Sequence, residues 1–276
     1  MATILTPTRP PAPRHDAGAP RRTDVIRAEW TKLRTVRSRW SALLIVLVGT
    51  VGIGALVCAA IAARWPHMSA PDKASFDPTF RSLTGLMLAQ LAVGVLGCLA
   101  ISAEYSSGMV RTTLAAVPRR ARVLTAKVVA LAPVALVVGT VACVCAFLAG
   151  QAALAGTGVG VALGNVSALR AVLGGGLYLT SLALLGLGLG TICRRSAAAI
   201  SSFVGVVLVA PTVIRTLPAW WGTDIAKFLP SEAGQALVTV RPSPGQLAPW
   251  AGFAVLCLWT AAALAVGAWL LARRDA

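Results

Sequence analysis

The pattern along this chain is six long apolar runs separated by short polar stretches. The runs are Ser41 to Ala63, Leu83 to Ile101, Val128 to Leu154, Ala171 to Cys193, Ala197 to Leu217 and Trp250 to Leu271, and Arg215 is the only Asp, Glu, Lys or Arg inside any of them. Each is long enough to cross a hydrocarbon core as a helix, in which every backbone N–H and C=O is paired within the segment. The pattern therefore predicts an all-α integral membrane protein with six transmembrane helices. Pro133 and Pro211 fall inside the third and fifth runs and predict kinks there.

Ahead of the first run, "TDVIRAEWTKLRTVRSRW" carries Ile26, Trp30, Leu33, Val36 and Trp40 at helical spacing, with Arg27, Lys32, Arg34, Arg37 and Arg39 on the other faces. This predicts an amphipathic helix over 23–40, capped at its start by Asp24 or Thr23 and lying in the headgroup plane. It could be a simple lipid anchor or a lever that also touches a cytosolic partner. Residues 1–22 are Pro-, Ala- and Arg-rich and read as a disordered cytoplasmic tail. The loop after the first run reads as short and ordinary, and 155–170 as either a loose loop or a partly embedded turn. The segment 218–249, with two adjacent Trp and several Pro, reads as short helices resting at the outer interface. Gly186 and Gly190 have the small-xxx-small spacing of a helix-packing or dimer face, as do Gly160 and Gly164.

Composition sharpens this picture. Hydrophobic residues make up 57% of the 276, only 12% are charged, and mean hydropathy is +0.78, more apolar surface than a soluble domain of that size could hide. With the amino terminus inside, eighteen Lys and Arg fall on the inner side of the membrane and seven on the outer, so both termini are expected in the cytoplasm. The net charge of +16 then lies along one face, where it meets anionic membrane lipids rather than nucleic acid. The first run is too long for a cleaved signal peptide. All six Cys lie within the runs and the two His are far apart, so neither disulfides nor a metal site is expected. Four Lys against 21 Arg hint at a bacterium with a GC-rich genome, hence a bacterial plasma membrane.

One polar stretch asks for more explanation than topology. In "EYSSGMVRTTLAAVPRRARVLTAK", Glu104 to Lys127, Gly108 interrupts the helix leaving the second run and Pro118 cannot continue a helix. Met109 to Val117 is thereby left as an isolated turn or two of helix. It would present Arg111, Thr112 and Thr113, then an apolar knob beginning at Leu114, then Arg119, Arg120 and Arg122, a surface suited to an acid-rimmed protein groove.

This stretch, together with "AEWTKLRTVRSRW" and "FLPSEAGQAL", resembles the permease subunits of type-2 ABC exporters, particularly actinobacterial ones. The resemblance covers essentially the whole chain after the tail. It implies that Asp24 to Arg39, with Glu29, Trp30, Lys32, Leu33 and Arg34, is an interface helix, and that Met109 to Val117 is a coupling helix docking onto a separate ABC ATPase. It also implies that Glu104 lies at the inner end of the second span beside the interface helix. A Glu at a membrane boundary favours a basic partner, and Arg27, Arg34 and Arg37 are the candidates, with Glu29 paired to Lys32 along its own helix.

No Lys follows a Gly, so the phosphate cradle GxxxxGK[ST] is absent. The chain is therefore expected not to be an enzyme and to bind no cofactor itself, ATP and Mg2+ belonging to the partner ATPase. A second copy or a related permease is expected beside it, because six helices leave little room for a substrate path. A proton-coupled carrier would want ionisable groups at mid-depth, and an intramembrane hydrolase a metal site or nucleophile; the runs offer neither. A non-transporting membrane anchor or assembly protein fits apolar spans and basic loops equally well.

Overall fold

The computed structural model describes residues 22–35, 37–110, 120–218, 222, 224–241 and 245–273, and these are mostly helical with no strand among them. Helix α1 is Arg22–Thr35 and α2 is Arg37–Arg64. Residue 36 between them lies outside the described residues, and Arg37 and Trp40 belong to α2, the helix of the first span. Helices α3, Ala70–Ser75, and α4, Pro78–Ser82, follow, capped by the side chains of Ser69 and Asp77, which accept from the amides of Asp72 and Phe80. The loop read as ordinary is therefore built, and α4 buries Pro78, Thr79 and Ser82.

Helix α5 is Leu86–Ser106 and α6 is Arg120–Leu154, running unbroken through Pro133. Helix α6 begins two turns before the apolar run because Arg120 to Lys127 contains good helix formers and neither Gly nor Pro. Helix α7, Val166–Cys193, starts at Asn165, whose side chain accepts from the Ser167 amide. The fifth membrane helix α8, Ser196–Ile214, contains a π-helical turn at Gly205–Val209 just ahead of Pro211. Helix α9 is Pro230–Gln235 and α10 is Pro249–Arg273. Six of these helices, α2, α5, α6, α7, α8 and α10, are long and apolar enough to cross a membrane.

Helix α7 is the axis of the bundle, packed by α5, α6 and α10, and it buries Tyr178, Leu179, Leu182, Leu185 and Leu187 completely or nearly so. Close packing on α5 depends on glycine. A Cβ at Gly186 would sit 2.3 Å from the Gly94 carbonyl oxygen, one at Gly190 2.6 Å from that of Cys98, and one at Gly97 2.0 Å from that of Ala183. The Gly186 and Gly190 spacing thus serves packing inside one chain. Gly160 and Gly164 face only loose surroundings in the loop before α7. Leu44, Ile45, Val48 and Leu56 on α2, with Trp250, Leu258 and Trp269 on α10, point outward, the inverse of a soluble protein and the arrangement lipid requires.

The segment after α8 does not merely rest at an interface. Ala233, Leu237 and Val238 are buried, Gly234 lies against the Tyr178 ring, and Gly252 admits the Ala233 carbonyl. Helix α9 therefore plugs one end of the bundle. The tail 1–21, most of the short helix expected at 109–117, and residues 219–221, 223, 242–244 and 274–276 lie outside the described residues.

Candidate functional site

At the end of the bundle opposite α9, four charged side chains from three elements close a ring. Lys32 Nζ stands 2.8 Å from Glu29 Oε1 and 3.0 Å from Glu104 Oε1. Lys127 Nζ stands 2.9 Å from Glu29 Oε2 and 2.7 Å from Glu104 Oε1, and donates to the Ala100 carbonyl at 3.1 Å. Lys127 is 3% exposed, Glu29 4% and Glu104 6%, so water contributes little screening. Two carboxylates and two ammonium groups make the ring neutral. Neutrality is what lets it survive burial, since an uncompensated buried charge is costly.

Local sequence explains how each member arrives. On α1, Val25 and Glu29 are one helical turn apart and form the buried face, with Val25 joining Val123 and Ala126 of α6 in a small apolar cluster. Lys32 lies three residues on from Glu29, on the adjoining edge of the same face. Glu104 ends the buried stripe of α5, one turn from Ala100 and Ile101, and Lys127 lies on the extension of α6 that the apolar run did not reveal. Burial alone would raise the Glu29 carboxyl, but Lys127 and Lys32 outweigh it and hold it below its ordinary value. Burial alone would lower the Lys32 ammonium, but Glu29 and Glu104 outweigh it and hold it above its ordinary value.

The pairing expected within α1, Glu29 to Lys32, is present. The partner expected for Glu104 is corrected. Arg27 is exposed, the side chains of Arg34 and Arg37 lie outside the described residues, and Glu104 is held by Lys32 and Lys127. A compact ammonium can sit between two carboxylates, whereas the wide guanidinium fork asks for a flat bidentate partner. Lys127 is the member that sequence reasoning missed, hidden among the loop cations that the orientation rule already explained. Its signal was rarity, for the ring uses two of only four lysines in the chain. Trp30 lies on the half-exposed side of α1, and the side chain of Leu33 is outside the described residues.

Between Glu104 and Lys127 the chain makes its excursion. Helix α5 ends where Gly108 takes φ +72°, with open space around its Cα, a left-handed stop that suits glycine. Val110 is buried and Met109 half-exposed. Arg111, Thr112, Thr113, Leu114, Pro118 and Arg119 lie outside the described residues, as does the side chain of Arg120, whose backbone opens α6. Glu104 lies within a turn of the end of α5, and Lys127 two turns past the start of α6.

A sequence family described as "ABC-2 family transporter protein" matches residues 25–212, a stretch that begins in α1, ends in α8 and contains all four ring residues. No curated protein matches the chain.

Proposed function

The chain belongs to the ABC-2 family of transporter proteins, and on that premise we propose that it is the membrane-spanning permease subunit of an ATP-driven exporter in a bacterial plasma membrane, with both termini in the cytoplasm. A separate ABC ATPase, which binds ATP and Mg2+, docks on the excursion between α5 and α6. Arg111, Thr112, Thr113 and Leu114 form its contact, with Pro118, Arg119 and Arg120 closing the motif. A second copy or a related permease completes the path.

The observation that carries this reading is the buried Lys127, whose Nζ joins Glu29 of α1 to Glu104 of α5 at 2.9 and 2.7 Å while riding on α6. The two helices that bracket the excursion and the helix lying across them are thereby tied at one point. A push on the excursion moves α5, α6 and α1 together rather than bending one of them. ATP does work on the membrane helices only insofar as the ATPase binds their two arrangements with different affinity.

The test is purification of the full chain with a tag on its tail. The expected result is recovery of an ATPase, lost in Arg111→Glu and in Leu114→Asp while the helical bundle is retained. Recovery of no ATPase under mild detergent would instead favour a non-transporting anchor.

A further inference from the structure

The end of the bundle away from the ion-pair ring holds a cavity of about 530 Å3 between α4, the end of α8 and the α9 segment. Four cations line it, Arg81, Arg215, Lys227 and Arg241, against the two carboxylates Asp77 and Glu232. Those carboxylates are already engaged. Asp77 accepts from the amides of Phe80, Val240 and Arg241 at 3.0, 3.2 and 3.2 Å, and Glu232 meets Arg215 at 2.6 Å. Lys227 meets Asp224 at 3.0 Å, and Arg241 donates to the Ala74 carbonyl. Among the described residues, no carboxylate or carbonyl oxygen engages the Arg81 guanidinium.

Arg81 also stands at a junction. It lines the polar cavity, a smaller one of about 140 Å3 that runs inward to Gln90 and Tyr178, and a third of about 440 Å3 on the outer flank of α2. The third is largely apolar, floored by Val57, Ala60 and Ile61 with Met68 and Phe76 as its walls. Its one acid, Asp72, takes the Ser69 hydroxyl at 2.5 Å. A guanidinium that no described carboxylate engages therefore sits where an apolar groove on a membrane helix meets a polar chamber, beside the end of α2.

That combination is complementary to one kind of molecule. We propose that this end of the protein binds an anionic phospholipid, its phosphate held by Arg81, its headgroup in the polar chamber and one acyl chain along the α2 groove. A guanidinium recognises phosphate through paired N–H donors, and the acyl chain supplies the apolar burial that a free anion lacks. The site is some 30 Å from the ion-pair ring, judged by the 21-residue length of α5 that separates them. It can be assayed with no ATPase present, so its failure would leave the transport reading untouched.

The experiment is native mass spectrometry of the full-length chain in detergent, given equimolar phosphatidylglycerol and phosphatidylcholine. Wild type should retain phosphatidylglycerol in preference. Arg81→Gln should reduce that retention about tenfold, the scale of a lost charge-assisted hydrogen bond, and Arg81→Lys should reduce it less. Ile61→Trp, which fills the groove and leaves the cation, should also abolish retention. Equal retention of the two lipids by wild type, or an unchanged preference in Arg81→Gln, overturns the proposal. So does full competition by millimolar inorganic phosphate together with unchanged retention in Ile61→Trp, which would mark a site for a free anion.

Discussion

Replacing Lys127 by Met is the sharpest probe of the ring, because Met fills similar volume while removing the charge. The ring then holds two carboxylates against Lys32 alone. Glu29 Oε1 and Glu104 Oε1 keep that partner, but Glu29 Oε2 and the Ala100 carbonyl lose theirs. Removing one member of a buried pair costs about 3–5 kcal/mol. The variant has an escape, which is to protonate a carboxyl. For a group of ordinary pKa 4.5, that costs about 4 kcal/mol at pH 7.5 and about 1.4 kcal/mol at pH 5.5, at 1.36 kcal/mol per pH unit. The escape caps the penalty, so Lys127→Met should lose about 4 kcal/mol at pH 7.5 and only about 1–2 kcal/mol at pH 5.5. In a chain of this size each kcal/mol moves the unfolding midpoint by roughly 2–4 °C.

The assay is tryptophan-fluorescence unfolding of the purified chain in detergent at both pH values, with Lys127→Met/Glu29→Gln alongside. That double variant restores a one-to-one ring and should recover most of the loss. Three results would refute the reasoning: an unshifted midpoint for Lys127→Met at pH 7.5, a shift of equal size at pH 5.5, or a double variant whose loss is the sum of the two single losses.

Other outcomes follow from the same geometry. Glu104→Gln should lower transport by roughly tenfold, equivalent to about 1.4 kcal/mol of coupling, while ATPase recovery stays at wild-type level because Glu104 is buried and offers no surface to a partner; wild-type transport would remove Glu104 from the coupling path. Glu29 is held below 4.5, so its contribution is complete above that value and lost as pH falls through its lowered pKa. Lys32 is held above 10.5, so its contribution is complete below that value and lost as pH rises through its raised pKa. The midpoint difference between wild type and Glu29→Gln/Lys32→Gln should therefore be flat from about pH 6 to 9 and narrow on both sides. Gly97→Ala forces a Cβ into the Ala183 carbonyl and should cost about 1–3 kcal/mol. Gly52→Ala, in open space on α2, should instead be neutral or stabilising by about 0.5–1 kcal/mol, and equal midpoints for these two glycine variants would contradict the α5–α7 packing.

What could be read from the chain and what could not divide along a physical line. Apolar runs longer than a bilayer is thick state their own secondary structure, because no other conformation satisfies the backbone in lipid. So the six helices were legible. Their ends were less so, since the runs stop where charge begins while a helix stops where its capping and hydrogen bonding stop. That is why α6 reaches back to Arg120. The α9 segment misled for a related reason: its Trp and Pro residues carry an interface signal, but its small residues, Ala233 and Gly234, decide that it packs into the bundle. Glu104 announced itself as the lone acid of a basic stretch between two apolar runs. Lys127 did not, because a cation in a loop already counted as topogenic has no separate signature until a fold brings it to a carboxylate.

The ring also explains why burial of charge is tolerated here. Replacing a buried ion network by well-packed apolar residues is often no less stable, so stability alone does not account for four ionisable groups at the junction of α1, α5 and α6. On the proposed transport reading, what such a ring supplies is directionality. Apolar surfaces between these helices could slide by a turn at small cost, whereas Nζ to carboxylate distances of 2.7 to 3.0 Å permit only arrangements in which each Lys keeps its two acids. A junction that resists sliding but can pivot as a unit is what a push from one side requires. A variant that preserves packing but not charge, Glu29→Gln/Lys32→Gln/Glu104→Gln/Lys127→Gln, should therefore remain folded and bind the ATPase while its transport no longer follows ATP hydrolysis. Transport still locked to hydrolysis in that variant would make the ring an ornament of packing.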